Sequence, residues 1–313
     1  MLQALSFALS VTSPILLMLL LGYTCSRHGM LNQGFFQGGS KLVFNVTLPC
    51  LLLMNVASAD VVALIEPKLL GSAIVIIVLA VTLLWLFSSS VAPNQRGVFV
   101  QCAFRSNMGV VGLALTVNAF GSDVLASAGV YLTLMTIVYN ILAAMVLSAA
   151  QDQPDQNIAL LMGKSIASNP LIIAIAIGLL LSFMQLRLPD WLMTSGRYLA
   201  DMTLPLALIC IGGTLSIGRL HSNRNLLIWA TVNKLILVPG LAALAGVFVG
   251  LRGTDLGILY LMTAAPTAAA SFVMSQQMNG DAELAADIIA VTTLLTAFSS
   301  STGLILLRTA ELI

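Results

Sequence analysis

The most unusual residue of this chain is a lysine inside an apolar segment. Lys234 stands in TVNKLILVPG, ten residues after Arg224 and five before Pro239. A charge at the centre of a membrane helix costs about 2.5–3.5 kcal/mol on insertion scales, and such a residue usually faces the protein interior. Two roles are open. The ammonium group can hold free backbone carbonyls, or it can attract an anion directly.

A carboxylate and an amide occupy matching places in a phrase that occurs twice. NVTLP contains Asn45 and DMTLP contains Asp201, which is the one carboxylate well inside an apolar segment. A carboxyl group away from water can exchange a proton or bind a cation. Asp201 and Asn45 are therefore candidates for coupling to an ion. The alternative for Asp201 is a shallow position paired with Arg197.

Neutral hydrogen-bonding residues add further candidates. Asn140 lies in the fifth apolar segment, and Thr293 and Thr296 lie at similar depth in the tenth. A buried asparagine needs a partner, so we expect Asn140 to contact a substrate. The threonines are expected to help bind a coupling ion, or simply to bond the carbonyl four residues earlier. Arg105 is expected at the inner mouth of the fourth segment, to attract an anion or to extend to the interface.

Two apolar segments contain residues that interrupt helices. The fourth reads RSNMGVVGLALTVNAFG and the ninth reads LMTAAPTAAASFVMSQQ. Proline removes a backbone donor, glycine lowers the cost of unwinding, and such breaks at matching places in two halves indicate a transport site. The alternative is a kink packed against neighbouring helices. The substrate-binding candidates at the two breaks are Asn107, Met108, Gly109, Pro266 and Thr267.

The elements that must position these residues are membrane helices. Hydrophobic residues make up 59% of the chain and charged residues 8%, against about 25% charged in soluble domains. About 20 apolar residues cross a bilayer. The first uncharged run lacks signal-peptide features and is expected to be retained. Ten uncharged runs are predicted to be transmembrane spans 1 to 10: 1–26, 42–59, 69–95, 106–122, 124–151, 165–186, 202–218, 235–251, 256–280 and 288–307.

The repeated phrase indicates a duplicated fold. Its two copies begin 156 residues apart, and Lys41 matches Arg197 at the same separation. Five spans per copy is an odd number, so the halves are expected to lie in opposite orientations, an arrangement typical of secondary transporters. The sequence predicts an all-α integral membrane protein with a 5+5 inverted repeat. Its parts are 1–150, a connecting loop at 151–164, and 165–313.

Charges in the loops give an orientation and few other constraints. Seven cations fall in loops on one side and five on the other, which favours both termini outside a plasma (inner) membrane. The four cysteines lie in or near spans without metal-ligand spacing. No metal or cofactor is therefore expected, and a net charge of +1 gives no reason to expect a nucleic-acid partner.

Several stretches resemble the auxin efflux carrier family, whose bacterial members include malonate and malate permeases. They are SPILLMLLLGYTCSRHGML, KLVFNVTLPCLLL, FRSNMGVVGLAL, NKLILVPGLA and TAAPTAAASFVMSQQMNGDAELAADIIAVTTLL. The resemblance implies the ten-helix fold of bile-acid sodium symporters and sodium/proton antiporters, with scaffold helices 1, 2, 6 and 7, a mobile core of 3–5 and 8–10, and a homodimer. Many relatives have a proline where this chain reads Gly112-Leu113-Ala114, so helix 4 is expected to be broken less sharply than helix 9.

The leading functional hypothesis is a secondary transporter of a small organic anion, a mono- or dicarboxylate, in the bilayer. The resemblance implies an elevator-type movement. The alternative is a cation/proton antiporter on the same fold, weakened because the core spans lack paired aspartates. An intramembrane enzyme is not expected, since no GxSxG or HExxH occurs. Coupling to a proton or sodium gradient is left open.

Overall fold

The computed structural model describes residues 2–57, 66–150, 170–186, 188–214, 224–278 and 280–313. Within these ranges every regular element is a helix, and the extended backbone forms one isolated bridge between Ser106 and Thr267. The connecting loop predicted at 151–164 lies outside the described residues. The all-α prediction is thus confirmed for the described part of the chain.

The described part of the first half contains seven α-helices. They are α1 (Leu2–Arg27), α2 (Gln33–Leu42), α3 (Leu48–Ala57), α4 (Pro67–Phe87), α5 (Pro93–Phe104), α6 (Leu113–Phe120) and α7 (Leu125–Ala149). Two π-helical segments, Val43–Thr47 and Met108–Gly112, lead into α3 and α6, and a 3₁₀ turn at Ser122–Val124 leads into α7.

Among the residues of the second half that the structure describes, eight α-helices are found. They are α8 (Pro170–Phe183), α9 (Asp190–Asp201), α10 (Thr203–Thr214), α11 (Arg224–Val232), α12 (Val238–Phe248), α13 (Gly253–Ala264), α14 (Ala270–Gln277) and α15 (Ala282–Thr309). A π-helical segment at Asn233–Leu237 joins α11 to α12.

Two pairs of elements, one member from each half, match in length. α5 and α13 each have 12 residues and begin 160 residues apart. The helices Ser122–Ala149 and Ala282–Thr309 each have 28 residues and also begin 160 residues apart. This agreement extends the sequence repeat, seen at a separation of 156 in spans 1, 2, 6 and 7, to the later helices of each half.

Four continuous helices in the described ranges are long and apolar enough to cross a membrane. They are Pro67–Phe87, Ser122–Ala149, Arg224–Phe248 and Ala282–Thr309. The other predicted spans correspond to α1, with 26 residues, and to shorter helical pieces. We call α5 together with Met108–Phe120 broken helix 4, and α13 together with α14 broken helix 9.

The start predicted for span 4 is wrong. The uncharged run begins at residue 106, whereas α5 already begins at Pro93 and is followed by the break. Arg96 and Arg105 separate the uncharged runs 69–95 and 106–122, so the stretch between them was not assigned to a span. Both side chains nevertheless have partners inside the protein. Arg96 lies 3.9 Å from the centroid of the Trp85 ring and donates to the Trp85 carbonyl at 2.8 Å. Such partners let a cation belong to a membrane helix.

Two prolines explain two of the π-helical segments. Pro49 and Pro239 each stand six residues after the first residue of a π-helical segment. A proline cannot donate to the carbonyl four residues earlier, and its ring clashes with that carbonyl. A widened turn relieves this clash, and such π-bulges are frequent at functional sites. Lys234 lies in the second of these segments.

The helices of spans 1, 2, 6 and 7 pack against one another. α1 contacts α10, α2 contacts α10, and both α8 and α9 contact α3. The approach of α1 to α10 is close enough to require glycine on both sides. A Cβ at Gly22 would lie 2.0 Å from the Ile209 oxygen, and one at Gly212 would lie 2.0 Å from the Leu19 oxygen. Small residues permit this backbone contact between membrane helices.

The other helices surround the two broken helices. α5 contacts α4, α7, α11 and α15, while α13 contacts α6 and α12. The breaks of helices 4 and 9 are therefore enclosed by the helices of predicted spans 3, 5, 8 and 10, which are α4, α7, α11 with α12, and α15.

Candidate functional site

The breaks of helices 4 and 9 cross and pair with each other. α5 ends at Phe104 and Arg105 is extended, with φ −75° and ψ 112°. α13 ends at Ala264, and Ala265 is also extended, with φ −57° and ψ 149°. The Asn107 N–H donates to the Pro266 carbonyl at 2.7 Å, and the Ala268 N–H donates to the Arg105 carbonyl at 3.0 Å. Each extended segment thus supplies hydrogen bonds that the other lacks.

As expected, helix 4 is interrupted over fewer residues than helix 9, in which five residues, Ala265 to Ala269, separate α13 from α14. Three residues, Arg105 to Asn107, separate α5 from the next helical segment. No proline is needed there, because the backbone of broken helix 9 supplies the partners that a continuous helix would have supplied itself. The break depends on tertiary pairing, which a missing proline in the sequence does not reveal.

Side chains satisfy the carbonyl ends of both first half-helices. The Lys234 ammonium donates to the Thr263 carbonyl at 2.6 Å and to the Ser106 hydroxyl at 2.7 Å. The Thr296 hydroxyl donates to the Ala264 carbonyl at 3.0 Å. The Thr267 hydroxyl donates to the Cys102 carbonyl at 2.8 Å. Carbonyls at a helix end have no helical donor, so each of these bonds removes a desolvation penalty.

Lys234 occupies the bracing position. Its side chain is fully buried, and its two partners come from the ends of the two broken helices. The negative end of the α13 dipole favours a cation at this place. Direct contact between Lys234 and a substrate remains a prediction.

Arg105 lies inside the break rather than at the inner mouth of helix 4, so its predicted location is wrong. Only 7% of the residue is exposed. Its guanidinium donates to the Asn140 Oδ1 at 2.5 Å and to the Met274 sulfur at 2.6 Å. Both partners are neutral. Among the described residues no carboxylate pairs with Arg105 or Lys234.

The second half-helices present their positive ends to the same region. Met108 begins the segment Met108–Phe120 and is buried, while Asn107 and Gly109 are half-buried. The first N–H groups of a helix have no partner within it and carry partial positive charge. Ala269 and Ala270 at the start of α14 are exposed. The polarity of this surface suits an anion.

The structure brings most of the predicted substrate-binding residues together. Asn107, Pro266 and Thr267 belong to the paired extended segments, and Asn140 binds Arg105. A Cβ at Gly109 would lie 3.4 Å from the Leu48 side chain, so the break also faces α3.

The predicted coupling residues are dispersed. Thr296 bonds the break of helix 9, but Thr293 donates to its own helix, to the Ile289 carbonyl at 2.7 Å. Asn45 is exposed and donates to the Lys41 carbonyl at 2.8 Å. Asp201 is exposed at the end of α9. No described group of three or more His, Cys, Asp or Glu residues could hold a metal ion.

Sequence reasoning missed three polar residues at the crossing. Gln101 is fully buried and donates to the Ser271 carbonyl at 2.9 Å and to the Ser275 hydroxyl at 2.8 Å, which ties α5 to α14. Thr292 accepts from the Thr267 N–H at 3.2 Å. Ser106 accepts from Lys234. Gln101, a polar residue four positions before Arg105, could have indicated a buried polar contact. It was overlooked because the stretch between Arg96 and Arg105 was not assigned to a span.

Comparison with known proteins agrees with this architecture. The model of the family described as membrane transport protein matches residues 8–302. The chain is 21% identical over 299 residues to an uncharacterized transporter of Methanocaldococcus jannaschii. The aligned region covers 91% of this chain and 94% of that protein. The chain is 22% identical over 301 residues to the uncharacterized transporter YfdV of Escherichia coli K12, with coverage of 91% and 94%.

A third relative, an uncharacterized transporter of Methanothermobacter thermautotrophicus, is 23% identical over 298 residues, covering 91% of this chain and 93% of that protein. All three relatives carry the name of transporter, and the family match spans nearly the whole sequence. The apolar helices make the chain an integral membrane protein. It belongs to the membrane transport protein family, which confirms the resemblance to auxin efflux carriers carried by its motifs.

Proposed function

We propose that this chain is a secondary transporter of a small organic anion, a mono- or dicarboxylate of auxin-like or malonate/malate-like type. The observation that carries the proposal is the pair of buried cations at the crossing. Arg105 and Lys234 are 7% and 0% exposed, and their described partners are all neutral. Buried charge without a counter-charge is costly. A substrate anion would supply the missing charge.

The two cations differ in what they offer a substrate. Lys234 already binds two oxygens of the protein. Arg105 has five N–H donors, of which two are used by described partners. A guanidinium can bind a carboxylate through two parallel hydrogen bonds. Arg105 is therefore the group that would contact the carboxylate, with Asn140 and Met274 holding it in the bound orientation.

The same observation disfavours the cation/proton antiporter. A site for a proton or metal cation needs a carboxylate or several oxygen ligands in the crossing. The described residues place two cations there instead. Coupling through Asp201, Asn45 and Thr293 would have to act from outside the pair of extended segments, whereas Thr296 donates to the Ala264 carbonyl at the break itself.

The proposed mechanism is alternating access of an elevator type. Ten spans in a 5+5 inverted repeat would divide into a scaffold of spans 1, 2, 6 and 7 and a moving core of spans 3–5 and 8–10. Two pairs of helices matched in length at a separation of 160 residues support the repeat, and the packing of α1, α2 and α3 on α8, α9 and α10 supports a common scaffold. The scaffold meets the core where α1 packs on α6 and α15. We also propose a plasma-membrane location with both termini outside.

A homodimer through spans 2 and 7 completes the proposal. Large exposed apolar side chains on α9, such as Trp191 and Tyr198, supply area for it. Native mass spectrometry in mild detergent is expected to show a dimer, and a monomer under all conditions would contradict it.

Uptake into proteoliposomes tests the function. Labelled malonate, malate and indole-3-acetate are supplied in turn, with a proton gradient, with a sodium gradient, and with neither. At least one is expected to enter, and Arg105→Gln is expected to lower its uptake at least tenfold. The matched control is Arg224→Gln, since Arg224 is an exposed cation at a helix start. Normal uptake by a folded Arg105→Gln protein would contradict the proposed site.

A further inference from the structure

A stripe of polar side chains runs along the first half of span 2. Gln33, Gln37, Lys41 and Asn45 recur every four residues from the start of α2 into the first π-helical segment, and all four are exposed. Residues four apart lie on the same side of a helix. We call this row polar stripe 2.

The same segment has two other faces. Phe36, Gly39 and Val43 are buried against the protein, whereas Phe35, Leu42 and Val46 are 41%, 41% and 43% exposed. At 100° per residue, these three apolar side chains and polar stripe 2 lie on opposite sides of the buried face, while Phe44, which is 46% exposed, lies on the side of the stripe. Lipid or a second protomer can cover the apolar side. Polar stripe 2 points elsewhere.

The matching segment of span 7 repeats this arrangement. Asp190, Thr194, Arg197 and Asp201 are exposed at spacings of four, three and four, and form polar stripe 7. Exposed apolar side chains again lie on a different side of the helix. They are Trp191, Tyr198 and Met202. The repeat therefore keeps three distinct faces, although the sequences of α2 and α9 differ.

Both stripes lead into predicted membrane spans. Lys41 stands immediately before the span predicted at 42–59, and Asn45 lies inside that span. Asp201 stands immediately before the span predicted at 202–218. A charged side chain at the edge of a span extends towards water rather than hydrocarbon. Both stripes are therefore expected to contact water where a span begins.

The packing of spans 2 and 7 places the stripes at opposite ends of the pair. α2 packs on α10, where a Cβ at Gly39 would lie 2.6 Å from the Cys210 sulfur. α9 packs on α3, where a Cβ at Gly196 would lie 2.6 Å from the Met54 side chain. Thus the polar half of each span lies beside the apolar half of the other.

We propose that the two stripes line water-filled entrances on opposite faces of the membrane, and that only the entrance along α2 concentrates anions. Polar stripe 2 carries Lys41 and no carboxylate, whereas polar stripe 7 carries Arg197 together with Asp190 and Asp201. A narrow aqueous cleft lined by charge of one sign raises the local concentration of the opposite ion. The choice of an anion as cargo rests on the proposed function.

Charged thiol reagents test the entrances without knowledge of the substrate. The full-length chain, with its four cysteines replaced by serine, is reconstituted into vesicles as Gln37→Cys or Thr194→Cys. Two impermeant methanethiosulfonates are applied from each side, one with a sulfonate and one with a trimethylammonium group. Gln37→Cys is expected to react from one side and Thr194→Cys from the other. The lipid-facing control Val75→Cys, at a residue 66% exposed on α4, is expected to stay unreactive.

The ratio of the two reaction rates reports the local charge. At Gln37→Cys the ratio of anionic to cationic reagent is expected to exceed that at Thr194→Cys by about tenfold, as one charge about one helical turn away predicts in water. Adding Lys41→Gln should remove the difference, and Lys41→Arg should keep it. Adding Asp201→Asn should raise the ratio at Thr194→Cys.

Three outcomes would overturn the proposal. A lack of reaction at Gln37→Cys from both sides of the membrane would mean that protein covers polar stripe 2. Reaction of both variants from one side would exclude opposite entrances, and a ratio unchanged by Lys41→Gln would exclude concentration of anions. None of these readouts involves transport. Failure of anion uptake by a protein with the expected thiol reactivity would remove the proposed function and leave the entrances in place.

Discussion

At the scale of the residue, charge at the crossing is used in two different ways. The Lys234 ammonium donates hydrogen bonds to two protein oxygens. The described partners of the Arg105 guanidinium are the amide of Asn140 and the thioether of Met274. Both are cations in an apolar interior. What separates their roles is the number of donors left for a ligand.

Lys234 is expected to tolerate arginine better than alanine. Lys234→Ala leaves the Ser106 hydroxyl and the Thr263 carbonyl with one partner fewer, at about 1–3 kcal/mol. The melting temperature in detergent should fall by about 2 °C or more, with or without substrate. Lys68→Ala, which removes an exposed lysine, is the control. A stable Lys234→Ala protein that has lost only substrate-induced stabilisation would show instead that Lys234 binds the anion.

Two threonines one turn apart offer a matched comparison. The Thr296 hydroxyl serves the Ala264 carbonyl of broken helix 9, while the Thr293 hydroxyl serves its own helix. Thr296→Val should therefore destabilise the protein by about 1–3 kcal/mol and impair uptake, whereas Thr293→Val should cost less than about 1 kcal/mol. Thermal unfolding and uptake measure both. Equal effects would mean that the bond to helix 9 is unimportant, or that Thr293 binds a coupling ion.

At the scale of the element, a break is stable because another break faces it. The bonds from Asn107 to Pro266 and from Ala268 to Arg105 replace bonds that a continuous helix would have. Non-helical backbone at membrane depth is tolerated only in such surroundings. The broken helices are one unit rather than two defects.

Filling the space beside the break should stop transport. A Cβ at Gly109 would lie 3.4 Å from Leu48, so Gly109→Leu would insert a side chain between the break and α3. We expect uptake below about a tenth of the normal rate with folded yield largely kept. Gly71→Leu is the control, since a Cβ there meets nothing within 4 Å. Normal uptake by Gly109→Leu would show that this surface does not take part in transport.

The sequence predicted the places of the breaks but not what stabilises them. Gly109 and Pro266 marked helices 4 and 9 because their backbone chemistry is local. The predicted location of Arg105 and the predicted start of span 4 were wrong. The acceptors of buried cations come from residues distant in sequence, such as Asn140, and a single sequence does not reveal them. Gln101 was missed for the same reason, since its partners lie 170 and 174 residues away in the sequence.

At the scale of the whole molecule, the helix ends of the two halves correspond. α4 ends at Phe87 and α12 ends at Phe248, which are 83% and 93% exposed. An odd number of spans in each half would place these ends on opposite faces of the membrane. Their similar exposure makes them a matched pair of probes.

Phe87→Cys and Phe248→Cys are expected to react with an impermeant thiol reagent from opposite sides. The measurement uses sealed vesicles of known orientation and a background without the native cysteines. Detergent-solubilised protein, in which both should react, is the control. Labelling of both from the same side would rule out the 5+5 inverted repeat.

The paired breaks have a consequence for the ancestry of the chain. One extended segment comes from each half, and each bonds the backbone of the other. In a 5+5 inverted repeat, a single five-helix ancestor would therefore have needed a second, oppositely inserted copy before it could persist in a bilayer. Gene fusion would then have joined partners that already existed. Expressed separately, fragments 1–150 and 151–313 should each be degraded, while co-expression should restore both, and survival of one fragment alone would argue against this history.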